Sequence, residues 1–295
     1  MVRAEPASLR LFIELARPAQ WIKNGFVLLP LFFGHALLQA GALRGALLAT
    51  LAFCLAASAV YAGNDVVDAE RDRNHPDKSD RPLARGALDP RVALGFSTLL
   101  ACAALVLGWS VDPGVGWVLF AYLGVQVAYS LALKRIAYLD AAIVASGFVL
   151  RLVAGGIAAS VPLTPWIVVM GFVLALMLAL GKRHGDLAHG HDPAARAALG
   201  YHRRPLEWIL AGFGGLTLAS YVFYTLSPEV LARHGHHPLA FSTPWVVLGI
   251  LRYLWLVLGR GAGGDPSRLA LRDPLLLVAV AGWLVTLGVI LYPAA

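Results

Sequence analysis

Charged side chains are scarce in this sequence. Asp, Glu, Lys and Arg together make up 14% of its 295 residues, where a soluble domain carries roughly a quarter. That scarcity excludes an ordinary water-facing surface, and the 59% share of hydrophobic residues is suited to lipid. Acids are the rarer sign, 17 against 24 Lys and Arg. No polar basic domain stands apart to bind nucleic acid, so the excess reads as the cytoplasmic bias of a membrane protein's loops. Only two cysteines are present, Cys54 and Cys102, both inside apolar segments. A disulfide framework is thereby excluded, and both read as small buried hydrophobes. A cleavable leader pattern is also lacking, because Arg10, Glu14 and Arg17 interrupt the N-terminus before any apolar core and Pro18 follows. Low-complexity stretches and internal repeats are absent too, which counts against a carrier built from duplicated halves.

Long apolar runs are abundant. A membrane span needs about 20 such residues, and candidates lie near 21–38, 45–66, 92–111, 115–133, 138–159, 163–181, 207–227, 241–259 and 274–292. The joints at 112–114 and 160–162 are tight turns, while 67–91, 182–206 and 260–273 are longer and polar. With the N-terminus inside, all but four of the 24 Lys and Arg fall on the cytoplasmic side; Arg44 and Arg233 lie outside, Arg151 and Arg252 within spans. The expectation is an all-α, multi-pass membrane protein of about nine helices, one polytopic domain over 1–295, N-terminus cytoplasmic and C-terminus outside. Leu9, Phe12, Ile13 and Ala16 share one helical face, which predicts an interfacial helix within residues 1–20. Association into homo-oligomers is left open.

The chemistry gathers where the second span meets the cytoplasm, at Asn64-Asp65-Val66-Val67-Asp68-Ala69-Glu70-Arg71-Asp72. At 100° per residue, with Asp65 at zero, Asn64, Asp68 and Asp72 fall at about 260°, 300° and 340°, and Glu70 points away at about 140°. A stripe of like charges at a bilayer boundary is costly. Magnesium offsets it by taking hard oxygen ligands and bridging carboxylates to phosphates. A solvated acidic helix end neutralised by nearby cations is the plainer alternative. The following stretch, His75-Pro76-Asp77-Lys78-Ser79-Asp80-Arg81-Pro82, leaves the helix at a proline and supplies Lys78 and Arg81, cations suited to phosphate. The candidate loops are therefore 64–91, 134–140 and 182–206.

Two further cytoplasmic ends join the list. Tyr129-Ser130-Leu131-Ala132-Leu133-Lys134 closes the fourth span, and Asp140, Gly147 and Arg151 share a face of the fifth. Arg151 would lie about 16 Å beyond Asp140 along the axis, where it needs a carboxylate or a phosphate as partner. The sixth span ends in Gly181-Lys182-Arg183-His184-Gly185-Asp186, with Lys182 and Asp186 at i and i+4. The outer His234-Gly235-His236-His237 run reads as a polar loop, His184, His189 and His191 show no convincing ligand spacing, and the tryptophans near span ends read as interfacial belts.

Arg17-Pro18 and Lys23-Asn24, then Asn64-Asp65-x-x-Asp68-x-x-x-Asp72, then His75-Pro76-x-Lys78-x-x-Arg81-Pro82 together resemble the UbiA-type intramembrane prenyltransferase superfamily, over nearly the whole chain. The resemblance implies a UbiA-like helical bundle and a magnesium-bound diphosphate substrate. Most members carry a second aspartate-rich motif after the sixth span, whereas this chain has two cations and one acid there. In that respect, and in Tyr129-Ser130-x-x-Leu133-Lys134 and Gly147-Phe148-Val149-Leu150-Arg151, it is similar to the branch that includes decaprenyl-phosphate phosphoribosyltransferases. Asp186 stands where that branch suggests Glu.

The branch implies a bacterial inner-membrane enzyme with its active site facing the cytoplasm. It would transfer a phosphoribosyl group from 5-phosphoribosyl 1-diphosphate to a polyprenyl phosphate. Asn64, Asp65, Asp68 and Asp72 are the expected Mg2+ ligands, and Asp65, Asp68, Asp72, Lys78 and Lys134 the expected catalytic set. Lys23, Asn64, Arg71, Arg81, Tyr129, Asp140, Arg151, Lys182, Arg183 and Asp186 are the expected substrate contacts. The alternatives are a prenyltransferase acting on an aromatic or other small acceptor, and a cation-coupled transporter.

Overall fold

The computed structural model describes residues 9–74, 78–189, 200–228, 230–231, 239–264 and 266–292. The His75-Pro76 step, Asp77, His191 and the run 234–237 lie outside them. All the regular elements described are helical. They are α1 (Leu9–Ala16), a 3₁₀ segment (Pro18–Leu28), α2 (Leu29–Phe33), α3 (Ala40–Arg73), α4 (Pro90–Val111), α5 (Pro113–Leu131) and α6 (Leu139–Ala158). Then follow α7 (Pro165–His189), α8 (Arg203–Leu226), α9 (Thr243–Leu254) running into a π-helical turn at Trp255–Gly259, α10 (Pro266–Arg272) and α11 (Pro274–Leu291). Eight of the described helical stretches are long and apolar enough to cross a bilayer. The protein is a multi-pass membrane protein.

The segment expected as the first span, 21–38, is not one regular helix. Pro18 and Pro30 cannot donate a backbone hydrogen bond, and the chain winds as the 3₁₀ segment and then α2 before turning at Gly34. At rises of 2.0 and 1.5 Å per residue the two pieces together still reach about 30 Å. Backbone that departs from a regular α-helix is tolerated at membrane depth where it packs against protein. Here a side chain at Gly155 of α6 would collide with the Val27 backbone, so glycine is what admits the segment.

Asp-Pro pairs start several helices. The Asp89 carboxylate accepts from Arg91 N at 2.7 Å, Asp112 from Gly114 N at 2.7 Å and Asp273 from Leu276 N at 3.0 Å, each with proline at the first helical position. This is the pairing a helix N-terminus favours, an acceptor for orphan N–H groups followed by a residue that lacks one.

The chain forms two compact units, residues 1–134 with 150–163 and residues 135–149 with 164–295; α6 contributes its second half to the first and its first half to the second. In unit 1, Ala46, Ala49, Ala52, Ala56 and Ala59 line a buried face of α3. Small residues at helical spacing let backbones approach where lipid supplies no hydrophobic drive. Phe53, Val115, Leu119 and Tyr122 fill the space beside them. A second cluster, Leu11, Leu15, Ala62, Leu83, Leu88 and Ala93, ties α1 to the end of α3 and to the loop beyond it. On α1, Leu9 and Ile13 are exposed, Phe12 and Ala16 are partly buried, and Leu11 and Leu15 turn inward.

In unit 2, Met177, Leu180, Leu206, Leu210, Ile250 and Val257 form the core with Tyr201 and Tyr253. Arg252, inside an apolar helix, reaches Asp273 at 2.7 Å and lies 4.5 Å from the Trp255 ring centroid. Cys54 is buried and Cys102 exposed, and neither is in a disulfide.

Candidate functional site

Helix α3 continues unbroken through Arg73, so the acidic stripe shares one helix as its spacing predicts. Asp65 and Asp72 are buried, Asn64 and Asp68 partly so, and Glu70 is exposed. Asp65 and Asp72 are about 10 Å apart along the axis, and the chain brings several cations to the stripe. The Arg81 Nη1 donates to Asp72 Oδ2 at 2.5 Å and to Asp65 Oδ1 at 3.2 Å. Arg17 Nη2 donates to the same Asp65 Oδ1. Lys134 Nζ reaches Asp68 Oδ1 at 2.7 Å, and Lys78 Nζ lies 3.9 Å from Asp72 Oδ1. The Ser130 hydroxyl donates to the Asn64 amide oxygen.

Local chain geometry explains why these cations arrive together. After α3, the loop turns back with Arg81 N bonded to Lys78 O and Arg85 N to Arg81 O, and Leu83 and Leu88 anchor it in the cluster with Leu11 and Leu15. Lys134 follows the end of α5 directly. Burial pulls the Lys78 ammonium below its ordinary value; Asp72 opposes the shift, while Arg81 and Arg71 add to it. Among the described residues no three acid, thiol or imidazole side chains converge as a ready-made metal cage, since the carboxylates are spread along two turns and aimed at cations.

Other expected residues fall elsewhere. Arg71 is exposed, Lys23 lies partly buried on the 3₁₀ segment and Tyr129 precedes Ser130 at the end of α5. Arg151 is 6% exposed, donates from Nε to Asn24 Oδ1 at 2.7 Å, approaches the Tyr122 hydroxyl at 3.3 Å and sits over the Phe53 and Tyr122 rings. Asn24 in turn donates to Cys54 Sγ. A buried guanidinium is thus met partly by an amide and aromatic faces.

Unit 2 holds a different arrangement. Arg183 Nε donates to the Asp140 Oδ2 at 2.6 Å, and its Nη1 is 3.8 Å from Asp186. The Tyr201 hydroxyl donates to Asp140 Oδ1 and accepts from Tyr138 N at 2.9 Å. Burial, then the hydrogen bond to Asp140, push the Tyr201 phenol upward, so it stays a proton donor. Lys182 is exposed, and His184 is fully buried with Nε2 3.3 Å from Glu207 Oε1. Sequence reasoning missed Arg17 and Tyr201 as site residues. Arg17 enters the sequence reading as a charge interrupting the N-terminus and as part of a motif, and Tyr201, after Gly200 in a polar stretch, gives no periodic signal.

Comparison with known proteins gives the family. The model of the UbiA prenyltransferase family matches residues 27–269. The chain is 32% identical over 293 residues to decaprenyl-phosphate phosphoribosyltransferase of Mycolicibacterium smegmatis, covering 95% of this chain and 92% of that protein. It is 31% identical to the protein of that name from Corynebacterium glutamicum, covering 95% and 86%. Among solved structures, a UbiA homolog from Archaeoglobus fulgidus bound to DMAPP and Mg2+ superposes with a TM-score of 0.73 at 17% identity, covering 96% of this chain and 99% of that one. With the family match spanning most of its length and relatives above 30% identity along nearly all of it, this chain is a membrane-embedded transferase belonging to the UbiA prenyltransferase family.

Proposed function

We propose that the protein transfers the 5-phosphoribosyl group of 5-phosphoribosyl 1-diphosphate to a polyprenyl phosphate of the decaprenyl type. Diphosphate is released, and the product serves as a lipid-linked pentose precursor for the cell wall. The observation that carries the reading is the charge balance in unit 1. Among the described residues, Asp65, Asp68 and Asp72 are matched by Arg17, Lys78, Arg81 and Lys134 within ion-pair reach. That surplus of positive charge grows when a divalent cation joins it, and a diphosphate offsets both. The relatives' shared name supports the same substrates.

The donor set fits Mg2+, since it offers hard carboxylate and amide oxygens in a row at a helix end. Asp65 and Asp68 would hold the ion, with Asn64 and Asp72 assisting; the Archaeoglobus homolog of like fold was solved with this metal. When bound, the ion would neutralise charge building up on the leaving diphosphate. Lys78, Arg81 and Lys134 bind and orient the donor phosphates and stabilise the same developing charge. The C1–O bond to diphosphate breaks with its electron pair leaving on oxygen, and a lipid phosphate oxygen bonds to C1. That nucleophile is already anionic near neutral pH, so no proton moves and no general base is assigned. Lys182 keeps its sequence-based assignment as a phosphate contact, whereas Arg183 is sealed against Asp140. The catalytic face is assigned to the cytoplasmic side of the inner membrane from the distribution of Lys and Arg.

The test is incubation of membranes containing the protein with labelled 5-phosphoribosyl 1-diphosphate and a polyprenyl phosphate, with and without Mg2+. Mg2+-dependent label in the lipid phase is expected. Label remaining in water while a prenyl diphosphate is consumed with an aromatic acceptor would replace this reading with ordinary prenyl transfer.

A further inference from the structure

Among the cations around the acidic stripe, Arg17 arrives by a separate route. Lys78 and Arg81 belong to the loop that follows α3, and Lys134 follows α5. Arg17 ends α1, a short helix held by Leu11 and Leu15 in the cluster with Leu83 and Leu88, and by Glu14, whose carboxylate accepts from Arg85 at 3.0 Å. Its backbone is left-handed, φ 50° and ψ 59°, a conformation uncommon for a residue with a side chain. Long-range bonds fix it there: Trp21 Nε1 donates to Ser58 Oγ at 3.0 Å, and that hydroxyl donates to Ala16 O at 2.8 Å.

The side chain has more latitude than the backbone. It is 26% exposed, lies with its guanidinium carbon 5.1 Å from the Tyr61 ring centroid, and shares one oxygen, Asp65 Oδ1, with Arg81. Two guanidiniums on one carboxylate oxygen repel each other; Arg81 also holds Asp72, and the arrangement is relieved when Arg17 turns to another anion. Without Arg17 the remaining three cations would simply match the three carboxylates. Arg17 is the surplus charge.

We infer that Arg17 is an exchangeable ligand of the donor diphosphate: it releases the Asp65 carboxylate to the divalent cation and turns its guanidinium to the phosphate oxygens. This rests on the function proposed above. It makes Arg17 a competitor of the metal and a partner of the diphosphate, two effects of opposite sign. Bidentate recognition of phosphate favours Arg over Lys here.

The test uses the full-length protein in detergent, with Mn2+ as a spin-visible substitute for Mg2+ and inorganic diphosphate as the anion. Arg17→Gln is expected to bind Mn2+ alone several-fold more tightly than wild type, and to bind diphosphate in the presence of Mg2+ at least about tenfold more weakly. Arg17→Lys should fall between the two, which guards against a folding artefact. Arg10→Gln removes the same charge from the same helix without touching Asp65 and should behave as wild type. Both affinities falling together in Arg17→Gln, or neither changing, would overturn the exchange. Wild-type protein that binds neither Mn2+ nor diphosphate would overturn the proposed function itself, and the exchange with it.

Discussion

The carboxylates of the two units are neutralised in contrasting ways. In unit 1, Asp65 and Asp72 have side chains 3% and 4% exposed, yet the cations that meet them, Arg17, Arg81 and Lys78, are 26%, 28% and 40% exposed. In unit 2, Asp140 and Arg183 are 1% and 6% exposed, and Tyr201 closes the remaining carboxylate oxygen. Exposed ion pairs contribute little net stability because water competes for both partners. They are correspondingly easy to exchange for a metal ion or a phosphate. A sealed pair holds its geometry, and losing one partner strands a charge in a medium that cannot solvate it. The difference separates a cluster suited to trading ligands from one suited to fixing helix α6 against α7 and the chain at Tyr201.

Substitutions can break that contrast. The largest effect is expected in unit 1: Asp65→Asn or Asp68→Asn should lower Mg2+-dependent transfer by about 10²–10³-fold in the labelled-donor assay, with thermal unfolding in detergent nearly unchanged. Glu70→Ala, on the opposite side of the same helix, should leave transfer untouched. Equal losses at Glu70 and Asp65 would mean the stripe is not the reacting face.

The second effect belongs to unit 2 and is read as stability. Arg183→Met removes the cation that faces the buried Asp140 carboxylate, at a cost of about 3–5 kcal/mol. A marked fall in unfolding temperature is expected. If the variant unfolds like wild type, the pair is not sealed and the contrast between the units disappears.

The smallest effect concerns pH. The hydrogen bond from Arg252 holds the Asp273 carboxyl below its usual value of 3.8. A carboxylate whose folded value is depressed contributes stability above its unfolded value and loses it as pH falls through the folded one. Melting curves across the acid range should therefore show Arg252→Gln less stable than wild type near neutral pH, with the difference shrinking as pH falls through the wild-type Asp273 value. Identical curves would remove the pair from any role in holding the start of α11.

How much of this was legible in advance follows the range of the interactions. The register of Asn64, Asp65, Asp68 and Asp72 was readable because it depends only on helical periodicity, and α3 obeys it. Span positions were readable from the length of the apolar runs, and the Asp-Pro starts mark real caps. The first expected span was misjudged in its regularity, because hydropathy measures apolar content and says little about how Pro18, Pro30 and the buried Asn24 shape the winding.

The sequence by itself determined a helical membrane protein, the acidic stripe and the pool of cations close to it in the chain. Tertiary structure alone decided the pairings, since Arg17 meets Asp65 across 48 positions, Lys134 meets Asp68 across 66, and Tyr201 meets Asp140 across 61. Local periodicity fixes which way a side chain leaves its own helix. It carries no information about which distant segment will be packed opposite, and that packing is what assigns each carboxylate its cation.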